Sequence, residues 1–504
     1  MPALPGETLP LNARTLAEHA KRVPVPAYDR RLVTTGIVHI GVGGFHRAHQ
    51  AMYLDTLMNE GTALEWGVCG VGVMPADRRM QQVMTAQDGL YTLVVKHSDG
   101  TWQPRVIGSI VEYLYAPDDP EAVIAKMTDQ ATRIVSLTIT EGGYNIDDTS
   151  GGFDQTNPAV LADLKPGALP RTAFGLIIEA LWRRRNLGVP PFTVLSCDNL
   201  QGNGRLARRM LTAFACLREP AIGDWIDQEV PFPSCMVDRI TPETTDADRA
   251  EVRERLGIDD RWPVVCEPFT QWILEDDFPA GRPAYQQAGA QLVSEVEPYE
   301  LMKLRLLNAS HQAMAYFGYL AGYRLVDEAA RDPAFQDLLL GYMNEEATPT
   351  LLPVPGIDLD TYKHTLIERF SNPQIRDTIA RLCAFSSDRI PKWLLPVIRQ
   401  QLATGGEMRR SAAVVASWAR YAEGIDEDGQ PIEIVDRLRD TLTTRARCQR
   451  DNPDAFITNR AIFGDLAENQ RFLDAYRSAL ASLRQRGARA TLAWLTTQSK
   501  SARN

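Results

Sequence analysis

Glu300, Lys303, Asn308 and His311 stand in the stretch Glu300-Leu301-Met302-Lys303-Leu304-Arg305-Leu306-Leu307-Asn308-Ala309-Ser310-His311. At about 100° per residue, with Lys303 at zero, Glu300 falls near ~60°, His311 near ~80° and Asn308 near ~140°. The four polar groups thus share one arc with Leu304 and Leu307. An ordinary surface helix sets its charges opposite its leucines, and buried polar groups are costly unless something meets them. The arc therefore points either to structural hydrogen bonds at a domain interface or to a ligand. The residue types suit alcohol oxidation. A hydride leaves carbon only when the hydroxyl proton is taken, which calls for a base. A desolvated lysine can be that base, and amide groups can hold the oxyanion. Lys303 is the candidate base. Asn308 and the Asn199 of Ser196-Cys197-Asp198-Asn199 are the candidate amide donors, Asn199 at the end of a predicted strand, where doubly wound sheets place their sites.

A second segment, Gly41-Val42-Gly43-Gly44-Phe45-His46-Arg47-Ala48-His49, reads as a glycine-rich turn between a strand and a helix. Glycines let backbone N–H groups approach a pyrophosphate at a helix N-terminus. This makes Gly41, Gly43, Gly44, Phe45, His46 and Arg47 candidate cofactor contacts, although His46 occupies the third glycine position of G-x-G-x-x-G. The structural alternative is a tight βα loop. Asp77, after the run Trp66–Met74, is the candidate ribose acid, and the alternative is an N-cap for a helix starting at Arg78. An acid there favours NAD over NADP, while Arg78 and Arg79 beside it act the other way. His46 and His49 are the only close histidine pair and no cysteine is near them in sequence, so no metal site is expected.

These residues need elements to hold them. Gly36–Gly41, Trp66–Val73, Val106–Ile110, Ile134–Ile139 and Phe192–Ser196 read as strands, His46–Glu60 and Thr172–Arg185 as helices, and Ala13–Lys21 as a short one. Their alternation predicts a doubly wound parallel sheet over the first half of the chain. Asp277–Pro298 is loop-rich, with a possible strand at Gln291–Val296. From Tyr299 onward helical patterns dominate: Glu300–Tyr323, Ala334–Asn344, Leu359–Arg369, Gln374–Cys383, Lys392–Leu402, Ala412–Glu423 and Leu466–Gln485. The expected division is an α/β domain over 1–297 and a mostly α-helical domain over 298–504.

Composition narrows the class. The 504 residues are 44% hydrophobic and 23% charged, with a formal net charge of -10, values of a globular protein that does not bind nucleic acid. Seven cysteines without a C-x-x-C pair fit a reduced, cytoplasmic setting. Met1–Gly6 lacks the pattern of a signal peptide. Leu301–Leu325, the most apolar stretch, is too interrupted by charge to span a membrane. With no heptad seam, a monomer or weak oligomer is expected.

The chain resembles the mannitol dehydrogenase family, the polyol-specific long-chain dehydrogenases and reductases. The resemblance is carried by Gly41–Tyr53 (GVGGFHRAHQAMY), Gly70–Asp77, Gln87–Tyr91, Ser196–Gly204 (SCDNLQGNG), Val237–Pro242, Cys266–Asp276 and Lys303–His311 (KLRLLNASH), and it covers nearly the whole chain. It implies a Rossmann-type N-terminal domain, a mostly α-helical C-terminal domain and a substrate held between them. It further implies Lys303 as general base, Asn199 and Asn308 as the oxyanion pair, and His311 on a substrate hydroxyl. Glu300 would link to proton exchange with solvent, and Asp77 would bind the adenosine ribose. Asp238, Arg381 and Arg389 would lie around the substrate, Arg389 standing where several relatives carry lysine, a residue not interchangeable with arginine in a hydrogen-bonded site. The implied activity is metal-independent oxidation of a sugar alcohol by NAD, D-mannitol to D-fructose, with D-arabinitol and D-glucitol as further substrates. The alternatives are a hexuronate reductase of the same family, acting on fructuronate or tagaturonate through Arg381 or Arg389, and a non-catalytic NAD-binding sensor.

Overall fold

Short runs rich in valine, isoleucine and glycine, as expected of strands buried on both faces, build the central sheet together with a half-buried edge strand, Ile110–Tyr115. They are β1 (Thr35–Ile40), β2 (Gly67–Gly72), β3 (Ile110–Tyr115), β4 (Ile134–Leu137) and β5 (Thr193–Ser196). In this computed structural model, which describes residues 8–147 and 151–501, the order is β3-β2-β1-β4-β5 and every neighbouring pair is parallel. Val38 pairs with Cys69 on one side and Val135 on the other. This is the doubly wound order of a Rossmann-type sheet, whose switch point lies between β1 and β4. The Met1–Gly6 segment lies outside the described residues.

Two compact units make up the chain, Met1–Glu297 and Pro298–Asn504. In the first, helices α1 (Gly44–Ala48), α2 (Gln50–Asn59), α3 (Arg78–Ala86), α4 (Ala173–Leu187) and α5 (Asn203–Arg218) accompany the sheet. One sheet face packs Val38, Ile40, Val71, Val135 and Leu137 with Phe174 and Ile177 of α4. The other packs Ile37, Val68 and Ile134 with Leu54 and Leu57 of α2. Helix α4 begins where the Thr172 hydroxyl accepts from Gly175 N–H and stops at Gly188, φ 68°, the capping pattern its sequence carries.

Three expectations need correction here. The helix expected over His46–Glu60 is broken at His49, whose φ and ψ of -123° and -93° are not helical. The strand expected at Val106–Ile110 spans the junction of two strands. Trp102–Ile107 runs antiparallel to Tyr91–Lys96 in a separate sheet with Val264–Cys266, and β3 starts only at Ile110. At the junction, Gly108 gives its N–H to the buried Asp55 carboxylate instead of to a ladder. The possible strand near Gln291 ends at Val293 and pairs with Gln271–Glu275.

Helices build the second unit, among them α6 (Ala309–Leu320), α7 (Arg409–Tyr421) and α8, the segment Gln470–Ser501, which Gly487 at φ 78° and ψ 174° breaks into two helices. Nearly every residue of α6 is buried, as in a helix at the centre of a core. The helix expected over Glu300–Tyr323 is in fact three pieces: α-helical Glu297–Met302, a π-helix over Lys303–Asn308, and α6. A second π-helix, Tyr342–Ala347, follows the α-helix Pro333–Gly341. The helix expected over Gln374–Cys383 forms only at Ile379–Cys383, because Arg376 takes φ 53° and Thr378 caps the short turn.

Candidate functional site

In the first unit the glycine turn leaves the end of β1. Gly41 has φ 95°, and a Cβ there would lie 2.1 Å from the Thr138 carbonyl oxygen at the end of β4. That glycine is required by the protein itself. Gly43 and Gly44 are different: a Cβ would meet nothing closer than 3.9 Å and 3.7 Å respectively, and neither has a positive φ. Nothing inside the protein calls for glycine there, so the two leave a bare backbone cradle of the kind a pyrophosphate approaches. Helix α1 is five residues long, so the cradle depends on local N–H groups more than on a helix dipole.

Below the turn the side chains face inward. His46 is buried and stacks on His39 with ring centroids 3.4 Å apart. Thr138 Oγ1 donates to the Gly41 carbonyl and lies 2.9 Å from His39 Nε2. The threonine proton being committed, Nε2 carries the hydrogen and Nδ1 accepts from Ser136 Oγ at 2.8 Å. Burial pushes His39 down to about 3, and burial followed by the neighbouring His39 holds His46 well below its usual value, so both rings are neutral. Arg47 is also fully buried, donating to the carbonyls of Gly43 and Trp262 beside the Tyr91 ring. It braces the turn and presents no charge above it. Phe45 is half-buried and stacks on His49.

Asp77 lies five residues beyond β2. It stands at the N-cap of α3, the position of the capping alternative, but its side chain makes no cap bond to that helix. Its Oδ2 accepts from Val73 N–H at 2.9 Å and Met74 N–H at 2.8 Å, and both bonds use this one oxygen. The absent side chain of Gly72 makes room for it, since a Cβ there would lie 2.6 Å from Asp77 Cβ. The neighbouring cations are occupied: Arg78 makes a bidentate pair with Asp118 and Arg79 lies over Trp262.

At the ends of β4 and β5 the structure supplies residues that the sequence did not mark. Asp198 accepts from the N–H groups of Ile139 and Thr140 and from the Tyr144 hydroxyl. Burial raises its pKa despite these bonds. Thr140 is held at φ 59°, ψ 174°, a conformation only glycine adopts cheaply. Asn203 joins the Asp198 carbonyl to both polar backbone atoms of Cys235. Asn199 is exposed at the tip of this stapled loop. Asp238 ends the strand Cys235–Asp238 and is 4% exposed. The next residue, Arg239, donates to the Ala48 carbonyl at 2.7 Å, and Thr241 lies beside Gly44. The turn, Asn199 and Asp238 are thus tied into one network. Its buried supports carry no sequence signal of their own, because tyrosine and asparagine in apolar surroundings look like ordinary core residues.

In the second unit the π-helix changes the expected geometry. Ala309 N–H bonds to the Leu304 carbonyl, five residues back. The turn therefore absorbs one extra residue, and positions beyond it shift by about 100°. Asn308 moves from ~140° to about 40° and His311 from ~80° to about -20°, so with Glu300 near ~60° all four lie within about 80° of arc. Glu300, Lys303, Asn308 and His311 are 5%, 8%, 4% and 9% exposed. The Asn308 amide Nδ2 is buried without a hydrogen-bond partner among the described residues, a costly state that a ligand oxygen would relieve. His311 lies against Phe370, ring centroids 4.5 Å apart. The two arginines do not join this face as free cations. Arg381 forms a bidentate pair with Asp377, and Arg389 Nη1 donates to the carbonyls of Arg381 and Leu382 at 3.1 Å and 3.2 Å, closing the end of a short helix.

Among the described residues no group of three or more histidine, cysteine, aspartate or glutamate side chains could hold a metal ion. Nor is any helix among them long and apolar enough to cross a membrane.

Comparison with known proteins extends over the same two segments. The mannitol dehydrogenase Rossmann domain matches residues 35–287 and the mannitol dehydrogenase C-terminal domain residues 295–484. A mannitol 2-dehydrogenase of Phaeosphaeria nodorum is 45% identical over 490 residues, 96% of this chain and 85% of that one. One from Aspergillus fumigatus is 44% identical over 96% of this chain and 98% of its own. Among solved structures, the Pseudomonas fluorescens mannitol 2-dehydrogenase in ternary complex with NAD and D-mannitol has a TM-score of 0.90 at 45% identity, covering 97% of this chain and 100% of that one. A substrate-free D-sorbitol dehydrogenase has a TM-score of 0.87 at 36% identity, covering 96% and 100%.

Proposed function

Because this chain belongs to the mannitol dehydrogenase family, we propose that it is an NAD-dependent polyol dehydrogenase interconverting D-mannitol and D-fructose, with Lys303 as base and no metal. The observation that carries this reading is the π-turn, which gathers Lys303, Asn308 and His311 on one face around a buried, unsatisfied amide donor. The relatives named as mannitol 2-dehydrogenases and the solved complex with NAD and D-mannitol support the cofactor and the substrate class.

NAD, when bound, would supply the acceptor for a hydride from the carbinol carbon. The bare backbone at Gly43 and Gly44 fits its pyrophosphate, with Gly41, Phe45, His46 and Arg47 shaping the turn. The Asp77 carboxylate would hold the adenosine ribose and would repel a 2′-phosphate. Lys303 Nζ takes the hydroxyl proton as the carbon–hydrogen bond breaks. Asn308 Nδ2 donates to the substrate oxygen as it becomes a carbonyl, and Asn199 is assigned the second amide. His311 orients a neighbouring hydroxyl, and Glu300 exchanges the proton with solvent. Asp238 is assigned to the outer hydroxyls. Arg381 and Arg389 are assigned to the surroundings of the substrate, Arg381 with its guanidinium paired to Asp377 and Arg389 with Nη1 on backbone carbonyls.

The test is NADH oxidation with D-fructose and, separately, D-fructuronate, both in EDTA. Fructose turnover that survives EDTA is expected, and D-sorbitol is the next alcohol to try in the reverse direction. Lys303→Ala should lower kcat by about a thousandfold while NADH binding, read by fluorescence, persists. Turnover of fructuronate alone would make the protein a hexuronate reductase. Loss in EDTA restored by zinc would overturn the metal-free reading. NADH binding without turnover of any sugar would make it a sensor.

A further inference from the structure

In an α-helix the N–H of Ala309 would bond to the carbonyl of Arg305, four residues back. Here that N–H goes to Leu304, and the Arg305 carbonyl loses the donor it would have had. Tyr342 supplies another: its hydroxyl donates to the Arg305 carbonyl oxygen at 2.9 Å. Tyr342 is fully buried and opens the second π-helix. Burial, reinforced by the nearby Glu346, keeps its phenol well above the usual tyrosine pKa, so it remains a donor. The Arg305 side chain is fixed as well, with Nη1 on the Thr350 carbonyl and on Gln400 Oε1.

A π-turn is one residue of surplus in a helical ladder, and that surplus can sit at more than one place. Moving it by one position re-forms one α-type bond and frees a different carbonyl. A freed carbonyl away from water is costly unless a donor meets it, so the position that has a waiting donor is favoured. If the surplus passes Lys303, the lysine and Asn308 return to α spacing, about 140° apart. We propose that Tyr342 is a positioning residue for the reaction: its hydroxyl, on the carbonyl released by the π-turn, fixes where the surplus residue sits and thereby which way Lys303 faces relative to Asn308. The inference rests on Lys303 being the base.

Tyr342→Phe, which removes only the hydroxyl, tests this on the full-length enzyme beside Lys303→Ala. The expected result is a fall in kcat of about tenfold or more, a moved kcat–pH profile, an unchanged KM for NADH, and faster amide exchange across residues 303–310. A lower melting temperature with kcat and its pH profile unchanged would make Tyr342 merely structural and overturn the proposal. An inactive Lys303→Ala beside an unaffected Tyr342→Phe would sink the positioning role while leaving the base in place. A near-normal Lys303→Ala would remove the base itself, and with it any need to position it.

Discussion

Asn308 illustrates how a single side chain separates stability from activity. Its Nδ2 is buried and contributes no hydrogen bond to the fold among the described residues, so replacing it with a similarly sized apolar group removes a desolvation cost and no bond. Asn308→Leu is expected to melt at or above the wild-type temperature while kcat falls by about a hundredfold or more. A variant that loses stability and keeps its turnover would make Asn308 a structural amide. The types of the four polar residues and their order were legible in the sequence. Their true angular relation was not, because a 100° rotation applies to α-helices and nothing in Lys303-Leu304-Arg305-Leu306-Leu307-Asn308 marks the extra residue. The donor that identifies it, Tyr342, lies 37 positions from Arg305.

At the scale of elements, the β1–α1 turn assigns opposite duties to neighbouring glycines. Gly41 serves the fold, for its φ of 95° and its approach to Thr138 leave no room for a side chain. Gly43→Ala should fold with a melting temperature close to wild type and bind NADH at least about tenfold more weakly, since the methyl group occupies the cradle. Gly41→Ala should instead lose stability by ~2 kcal/mol or more, the size of effect expected for strain at a special backbone position. Equal thermal losses, or a Gly43→Ala variant with full NADH affinity, would undo this division. The parallel strands were readable because β-branched apolar runs bounded by glycine have few other uses. Val106–Ile110 misled because Gly108 and Ser109 separate two strands of different sheets within one apolar-looking run. Tyr91–Lys96 is hard to read for a similar reason, its strand lying in a small added sheet outside the βαβ alternation.

Across the whole molecule, several buried carboxyl groups set how stability responds to pH. Glu346 is fully buried and accepts from Arg410 N–H, Ser411 N–H and the Ser411 hydroxyl at the start of α7. Burial outweighs these bonds and pushes it up from its ordinary 4.5 to about 7. Between those values the folded chain keeps a proton that the unfolded chain has released. Its contribution to stability is therefore greatest below about pH 4.5 and lost as pH rises through about 7, a change of ~3 kcal/mol. Asp55, Asp198 and Asp260, also raised by burial, act in the same direction. Glu346→Gln should flatten this part of the stability curve, and unfolding free energies measured at pH 5 and pH 7.5 should converge relative to wild type. Parallel curves for the two proteins would show that Glu346 is ionised throughout.

The surplus residue in the 303–308 turn also changes what kind of mutation the gene can tolerate. Loss of one amino acid from a buried helix normally turns every later side chain away from its neighbours. Here the ladder has one to spare. An in-frame loss of a single codon between 304 and 307 would close the turn into an ordinary α-helix with α6 still in register against the core. Lysine and asparagine would then sit four apart, on the same face as before, and the hydroxyl of Tyr342 would have nothing left to satisfy.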